Sequence, residues 1–223
     1  MTLQQDEAVR LAVYGGYVDD GRPPTVDAMA AALGLGAGEV HESLARLDEA
    51  RHIVLNADGD IVMAHPFASV PLGFSVMGSD TLWWGGCAWD SFAIPQLCAD
   101  DPEVLVATQC PGCDRPLSWV VNRESPPLGD EVAHFLVPMA QVWDDVVHTC
   151  GNQRLFCSIE CMQRWAESSG TEPGYVMDLA TLWRLASRWY EGRLEPGYQR
   201  REPVHAREYF GEVGLSGPFW GLE

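Results

Sequence analysis

The sequence predicts an α+β protein in two parts, and three observations lead there. Helical periodicity opens the chain, short alternating strands fill its middle, and all seven cysteines fall after residue 86. At 223 residues there is length for one domain or two modest ones. A hydrophobic content of 47% with 9 tryptophans marks a folded chain.

The elements follow in order. Between Asp6 and Tyr17, the residues Val9, Val13, Tyr14 and Tyr17 recur at helical spacing. "GRPPT" breaks that pattern, and Thr25 is placed to cap a second helix, "VDAMAAALGL". After Gly36 a third helix carries Val40, Leu44 and Leu47 on one face. "IVLNADGDIVMA" reads as two strands joined through Asp58-Gly59. Three helices and a hairpin in this order predict a winged-helix-like domain over residues 1–66.

"HPFASVPLG", with two prolines, reads as a linker into a second domain, residues 67–223. That part predicts a mixed fold of short, mainly antiparallel strands with flanking helices. "GFSVMG", "TLWWGG", "EVLVATQ", "PLSWVVN", "EVAHFLVP" and "RLFCS" are the strands. Helices are expected from Cys87 to about Cys98 (kinked or shortened by Pro95), over "MAQVWDDVVHTC", over "SIECMQRWAES" and over "DLATLWRLASRWY". The tail from about residue 191, rich in Gly, Pro and charge, is expected to be irregular.

The net charge of -18 argues against nucleic acid and anionic membrane surfaces as partners, because affinity for phosphate comes largely from cationic side chains. The third helix agrees, with Glu39, Glu42, Asp48 and Glu49 against Arg46 and Arg51. The start lacks a signal-peptide pattern and no apolar run is long enough to span a bilayer, so the expected location is cytoplasmic. In a reducing compartment, seven cysteines point to metal binding or catalysis rather than to a disulfide framework.

Two constellations compete for those cysteines. In "WWGGCAWDSFAIP", Cys87 and Asp90 stand three residues apart at a helix start, where a thiolate gains from unpaired N–H groups. Packing explains such a pair equally well when it is taken alone: a small buried thiol and a first-turn carboxylate. The second constellation is Cys110-x-x-Cys113 with Cys157-x-x-x-Cys161, two close pairs suited to a tetrahedral structural zinc. Cys98 reads as a small core residue. His148, beside Cys150, reads either as a base or as a locally hydrogen-bonded histidine.

"CAWDSFAIP", the stretch from Cys150 through Ser158 to Trp165, and "CPGCDRPLS" around Cys110 together resemble the alkylmercury (organomercurial) lyase family. The resemblance covers roughly residues 1 to 190, with its motifs in the family's order. It implies that Cys87, Asp90 and Cys150 are catalytic, with Cys110 structural. Two thiolates would hold the mercury of the substrate and Asp90 would supply the proton that breaks the carbon–mercury bond. On that reading the lyase chemistry requires no cofactor, and mercury is substrate and product, held by Cys87 and Cys150. Partners would be an organomercurial or other soft-metal small molecule, low-molecular-weight thiols and mercuric reductase. Cys113, Cys157 and Cys161 depart from the family pattern. So do Gly85 and Gly86, where the family carries a bulkier aromatic, and a changed substrate would be sought there. The alternative is a non-lyase member of the fold, a thiol-rich soft-metal-binding or sensing protein with structural zinc. A metal-sensing winged-helix regulator is a third class, disfavoured by the acidic third helix.

Overall fold

A computed structural model describes residues 2–172 and 174–223. Helix α1 (Thr2–Asp20) buries Val9, Val13, Tyr14 and Tyr17, and α3 (Ala37–Glu49) buries Val40, Leu44 and Leu47. Between them α2 (Val26–Leu33) starts where the Thr25 hydroxyl accepts the Ala28 N–H. It stops at Gly34, whose φ of 67° suits a residue without Cβ. Strands β1 (Val54–Leu55) and β2 (Ile61–Ala64) pair antiparallel, as the Asp58-Gly59 turn requires.

The stretch expected to be a linker differs. Phe67–Ala68 forms a strand, β3, hydrogen-bonded to β2 on one side and to β5 (Leu82–Gly85) on the other. Its two residues are too few to show alternation in a sequence. Strands β4 (Phe74–Met77), β6 (Glu103–Gln109) and β7 (Pro116–Asn122) complete an antiparallel sheet in the order β1-β2-β3-β5-β4-β6-β7. A second antiparallel sheet has β8 (Val132–Phe135) in the middle, with β10 (Tyr175–Asp178) on one side and β9 (Gln153–Phe156) on the other. Helices beside antiparallel sheets make the α+β class that the sequence predicts.

Helix α4 (Ala88–Leu97) is the centre of the molecule, with every residue from Ala88 to Pro95 buried. It contacts strands of both sheets and α7 (Leu179–Ser187). Burying Trp89, Phe92 and Ile94 contributes about 1.5–3 kcal/mol each. The helix runs through Pro95 to Leu97, and Arg123 donates to the carbonyls of Pro95 and Cys98 at 2.6 and 2.7 Å where it ends.

Two further expectations change. The helix predicted over residues 139–150 is reduced to a 3-10 turn, Met139–Gln141, and the short α5, Val146–Gly151, which Asp145 caps through the His148 N–H. The tail expected to be irregular contains α8 (Pro203–Glu212), and Tyr209, Phe210 and Trp220 are buried there. Their aromatic side chains pack on Trp89 and Trp189, a tertiary signal that local sequence patterns do not carry. Helix α6 (Ile159–Ser169) forms as predicted, capped by Ser158. No helix among the described residues is long and apolar enough to cross a membrane.

Candidate active site

Cys87 joins β5 to α4. Its backbone is extended, and its Sγ accepts the Asp90 N–H at 3.4 Å, so the thiol sits where the helix start offers unpaired amides. One turn on, Asp90 is 1% exposed. The Tyr190 hydroxyl donates to Asp90 Oδ1, while Oδ2 is buried with no hydrogen-bond partner.

The two glycines before Cys87 are explained by this crowding. A Cβ on Gly86 would lie 2.3 Å from Asp90 Oδ2 and 2.6 Å from Met63 Cε. One on Gly85 would lie 2.0 Å from Ser91 Oγ, which is committed to the Cys87 carbonyl at 2.7 Å. The glycines therefore make room for the start of α4 and its carboxyl.

Cys150 arrives from α5, 4% exposed, and its thiol interacts directly with that of Cys87. Its Sγ is 3.5 Å from Nε2 of His65, and a ring nitrogen of His65, a carboxylate oxygen of Asp90 and Cys150 Sγ all lie within 4.8 Å of one another. The three residues singled out in the sequence thus share one place. His65, Tyr190 and Arg193 join them unannounced. His65 lay in the supposed linker and Tyr190 and Arg193 at the edge of the supposed irregular tail, so only the three-dimensional packing could find them. His148, by contrast, is exposed and its ring lies near Asn152.

Burial sets the protonation states. It pushes the Cys87 thiol well above the ordinary range, with help from Cys150 and the Asp90 charge. For Cys150 the hydrogen bond with Cys87 favours the thiolate, but burial and the Asp90 charge outweigh it and the net shift is upward. Asp90 is pushed up to about 7 by burial, against the Tyr190 hydrogen bond, which favours the carboxylate. His65 is held down to about 3 by burial and by Arg193 and Arg200, so its imidazole is neutral. The resting site is therefore two thiols beside a carboxyl that holds its proton at near-neutral pH. Trp89 lines the same cavity, whereas Trp84 points from the far face of β5 and is 40% exposed.

Cys87, Asp90, Cys150, His65 and Tyr190 line a cavity of about 470 Å³, together with Trp143 and Trp189. That is room for a small organic molecule. A larger hollow of about 750 Å³, beside Trp84 and Cys110, contains none of the three sequence-predicted residues. A soft cation entering the smaller cavity would meet two thiols, the softest ligands a protein has, and a proton donor beside them.

The other four cysteines form a separate cluster. Cys110 and Cys113 flank the β6–β7 turn, while Cys157 and Cys161 sit at the β9–α6 junction, and all four Sγ atoms lie within 4.8 Å of one another. The Cys110–Cys161 and Cys113–Cys157 sulfur pairs are each 3.6 Å apart. A Cβ on Gly112 would fall 2.7 Å from Cys161 Sγ, so the turn has room for the thiols only with glycine there. Cys98 is buried and apart from both groups.

Fold and site together define an α+β protein built around a buried dithiol–carboxyl cavity. The alkylmercury lyase family model matches residues 67–191, more than half of the chain. The chain belongs to the alkylmercury lyase family, and breaking carbon–mercury bonds is its enzymatic class. Among solved structures it resembles the mercury-bound form of MerB2, with a TM-score of 0.63 and 18% sequence identity over 86% of this chain and 92% of that one. Among curated proteins none matches the sequence.

Proposed function

We propose that the chain cleaves R–Hg substrates by protonolysis, with Cys87 and Cys150 as mercury ligands and Asp90 as the acid. The observation that carries this reading is a protonatable, desolvated carboxyl held beside two buried thiols. The organomercurial, arriving as a thiol adduct, exchanges onto Cys87: the Cys87 thiol proton leaves with the departing small thiol. Binding by Cys150 as thiolate raises electron density on the mercury-bound carbon. Asp90 then gives its proton to that carbon, so the C–Hg bond breaks and a C–H bond forms. The products are RH, a Cys87–S–Hg–S–Cys150 adduct and the Asp90 carboxylate. Two small thiols carry the Hg²⁺ away and return a proton to each cysteine, and solvent reprotonates Asp90. Mercury binding expels the Cys150 proton to solvent, and the neutral His65 beside this thiol suits a group that orients it.

We also assign the four-cysteine cluster to structural zinc. With Zn–S bonds of about 2.3 Å, a tetrahedral site puts its sulfurs roughly 3.8 Å apart. The 3.6 Å pairs support that fit. So does Cys113, whose thiol is held down to about 7 by the Arg115 N–H and the neighbouring cysteines. Such an ion would tie the β6–β7 turn to the start of α6. Residues 1–66 are read as a unit that covers the cavity and does not bind nucleic acid. Arg10 in α1 donates to the Arg193 and Glu195 carbonyls, and Arg46 of α3 is occupied by Asp6 at 2.8 Å.

The test is incubation with phenylmercury and excess neutral thiol, with benzene measured. Release is expected, and Cys87→Ser should lower it at least about a thousandfold. A mutant that keeps wild-type turnover would remove Cys87 from the mechanism.

A further inference from the structure

The fourteen basic side chains of this acidic protein are all arginine, and five of them line the one cavity that holds Cys87, Asp90 and Cys150: Arg51, Arg193, Arg200, Arg201 and Arg207. Among the described residues, none of the five has a carboxylate within ion-pair distance, whereas Arg10, Arg46, Arg115 and Arg188, outside the cavity, do. The only acids on the cavity wall are the deeply buried Asp90 and the exposed Asp144. A chain of net charge -18 has thus left the cations of this wall unneutralised.

Their local settings point the same way. Arg193 is 5% exposed, yet donates only to neutral acceptors, namely the Tyr14 and Tyr198 hydroxyls and the His65 carbonyl at 3.0–3.2 Å. Its Nε is buried without a partner, as is that of Arg201. A guanidinium taken out of water without a counter-charge is costly. Arg51 and Arg200 lie against the planar face of Trp143 at 5.4 and 4.7 Å, and Arg200 also donates to the neutral Ala50 carbonyl at 3.5 Å. Arg51 also occupies a left-handed backbone position, φ 60°, where glycine would be less strained, so a side chain is retained there at some cost. All five arginines lie outside residues 67–191, the part of the chain that matches the family model.

We propose that this wall selects anionic substrates: mercury compounds whose adduct carries a carboxylate, paired in the cavity with the unneutralised guanidinium groups. The inference rests on the lyase reading and adds a specificity to it. The carboxylate has two sources, the organic group bound to mercury or the small thiol that delivers it. Arginine meets a carboxylate with two parallel N–H bonds, and inside a cavity partly closed to water such a pair discriminates strongly against a neutral analogue. An acidic outer surface would otherwise repel these substrates, so the cationic wall marks where they are admitted.

The experiment compares kcat/KM in four arms: phenylmercury or 4-carboxyphenylmercury, each delivered with 2-mercaptoethanol or with mercaptosuccinate. Wild type is expected to favour at least one carboxylated arm about tenfold or more over the neutral pair. An advantage that follows the aryl carboxylate assigns the arginines to the organic group, and one that follows mercaptosuccinate assigns them to the delivering thiol. Arg200→Gln and Arg207→Gln should shrink that ratio, and Arg164→Gln, on the surface of α6, should not. Equal rates in all four arms would overturn the proposal. Benzoate and benzamide binding, followed by tryptophan fluorescence, gives a second readout that needs no turnover. Preferential, salt-sensitive benzoate binding lost in Arg200→Gln supports the anion site even if benzene release fails, and equal binding of the two overturns it.

Discussion

Two thiol clusters occupy this chain, and the same element in each is put to opposite use. At the β6–β7 turn and the start of α6, four cysteines converge with sulfurs 3.6 Å apart in pairs, a set that can surround an ion and keep it. In the cavity only two thiols meet, and the neighbouring positions are given to a carboxyl, an imidazole and a phenol. Four soft ligands saturate a metal, whereas two leave it open to a proton and to incoming thiols. On the roles proposed for them, retention and turnover are separated by ligand count and by what stands beside the ligands.

The sharpest way to break this contrast is Asp90→Asn. Turnover should fall by a factor of about 10² to 10⁴, the usual worth of a general acid, while mass spectrometry still finds the R–Hg adduct on the protein. Unchanged hydrocarbon release would deny Asp90 its role. The same variant reports on stability. The folded-state value of about 7 lies above the ordinary 3.8, so between those values the folded protein holds a proton that the unfolded chain has lost. Stability from this group is therefore fully present below pH 4 and is lost as pH rises through 7, by on the order of a few kcal/mol. Denaturant melts at pH 5 and pH 8 should show the Asn variant gaining on wild type at the higher pH. Parallel behaviour would mean that Asp90 titrates like a free carboxylate.

Next in size is Cys113→Ser. Zinc content measured by native mass spectrometry should fall and thermal stability should drop by several degrees, since a structural site contributes folding energy. A variant of unchanged melting temperature would show that the cluster holds no structural ion. The smallest effect is expected of Tyr190→Phe. Its hydroxyl stabilises the Asp90 carboxylate, so its loss raises the Asp90 value further and moves the alkaline fall of the pH–rate profile to higher pH. A shift to lower pH would reverse the assigned role of the phenol.

The two clusters were not equally legible. Cys110, Cys113, Cys157 and Cys161 announce themselves through spacing, because each pair is local in sequence. Cys87 and Asp90 are readable for the same reason, as a helix start followed by its first turn. Cys150 is local to neither, and only its family-like spacing to Ser158 and Trp165 drew it in. The partners that give the cavity its chemistry arrive from afar: His65 from beside a two-residue strand, Tyr190 and Arg193 from beyond α7. No periodicity marks them, since each is fixed by what it meets across the fold. The helices and most strands were visible because amphipathic spacing is local. Strand β3 and the shortened α5 were not, the first too brief to alternate and the second carrying apolar residues, Val142 and Trp143, in a turn rather than in a longer helix.

The order in which the cavity's walls occur along the chain has a consequence for synthesis. Every cysteine precedes residue 162, while Tyr190, Arg193, Phe210 and Trp220, which close over Cys87 and Asp90, follow it. Chains grow from the N-terminus, so the reactive sulfurs emerge well before the segment that hides them. A ribosome that stalls after α7 would leave a nascent protein with Cys87 and Cys150 uncovered. Completion of the last thirty or so residues is what encloses the two thiols and the carboxyl in a cavity.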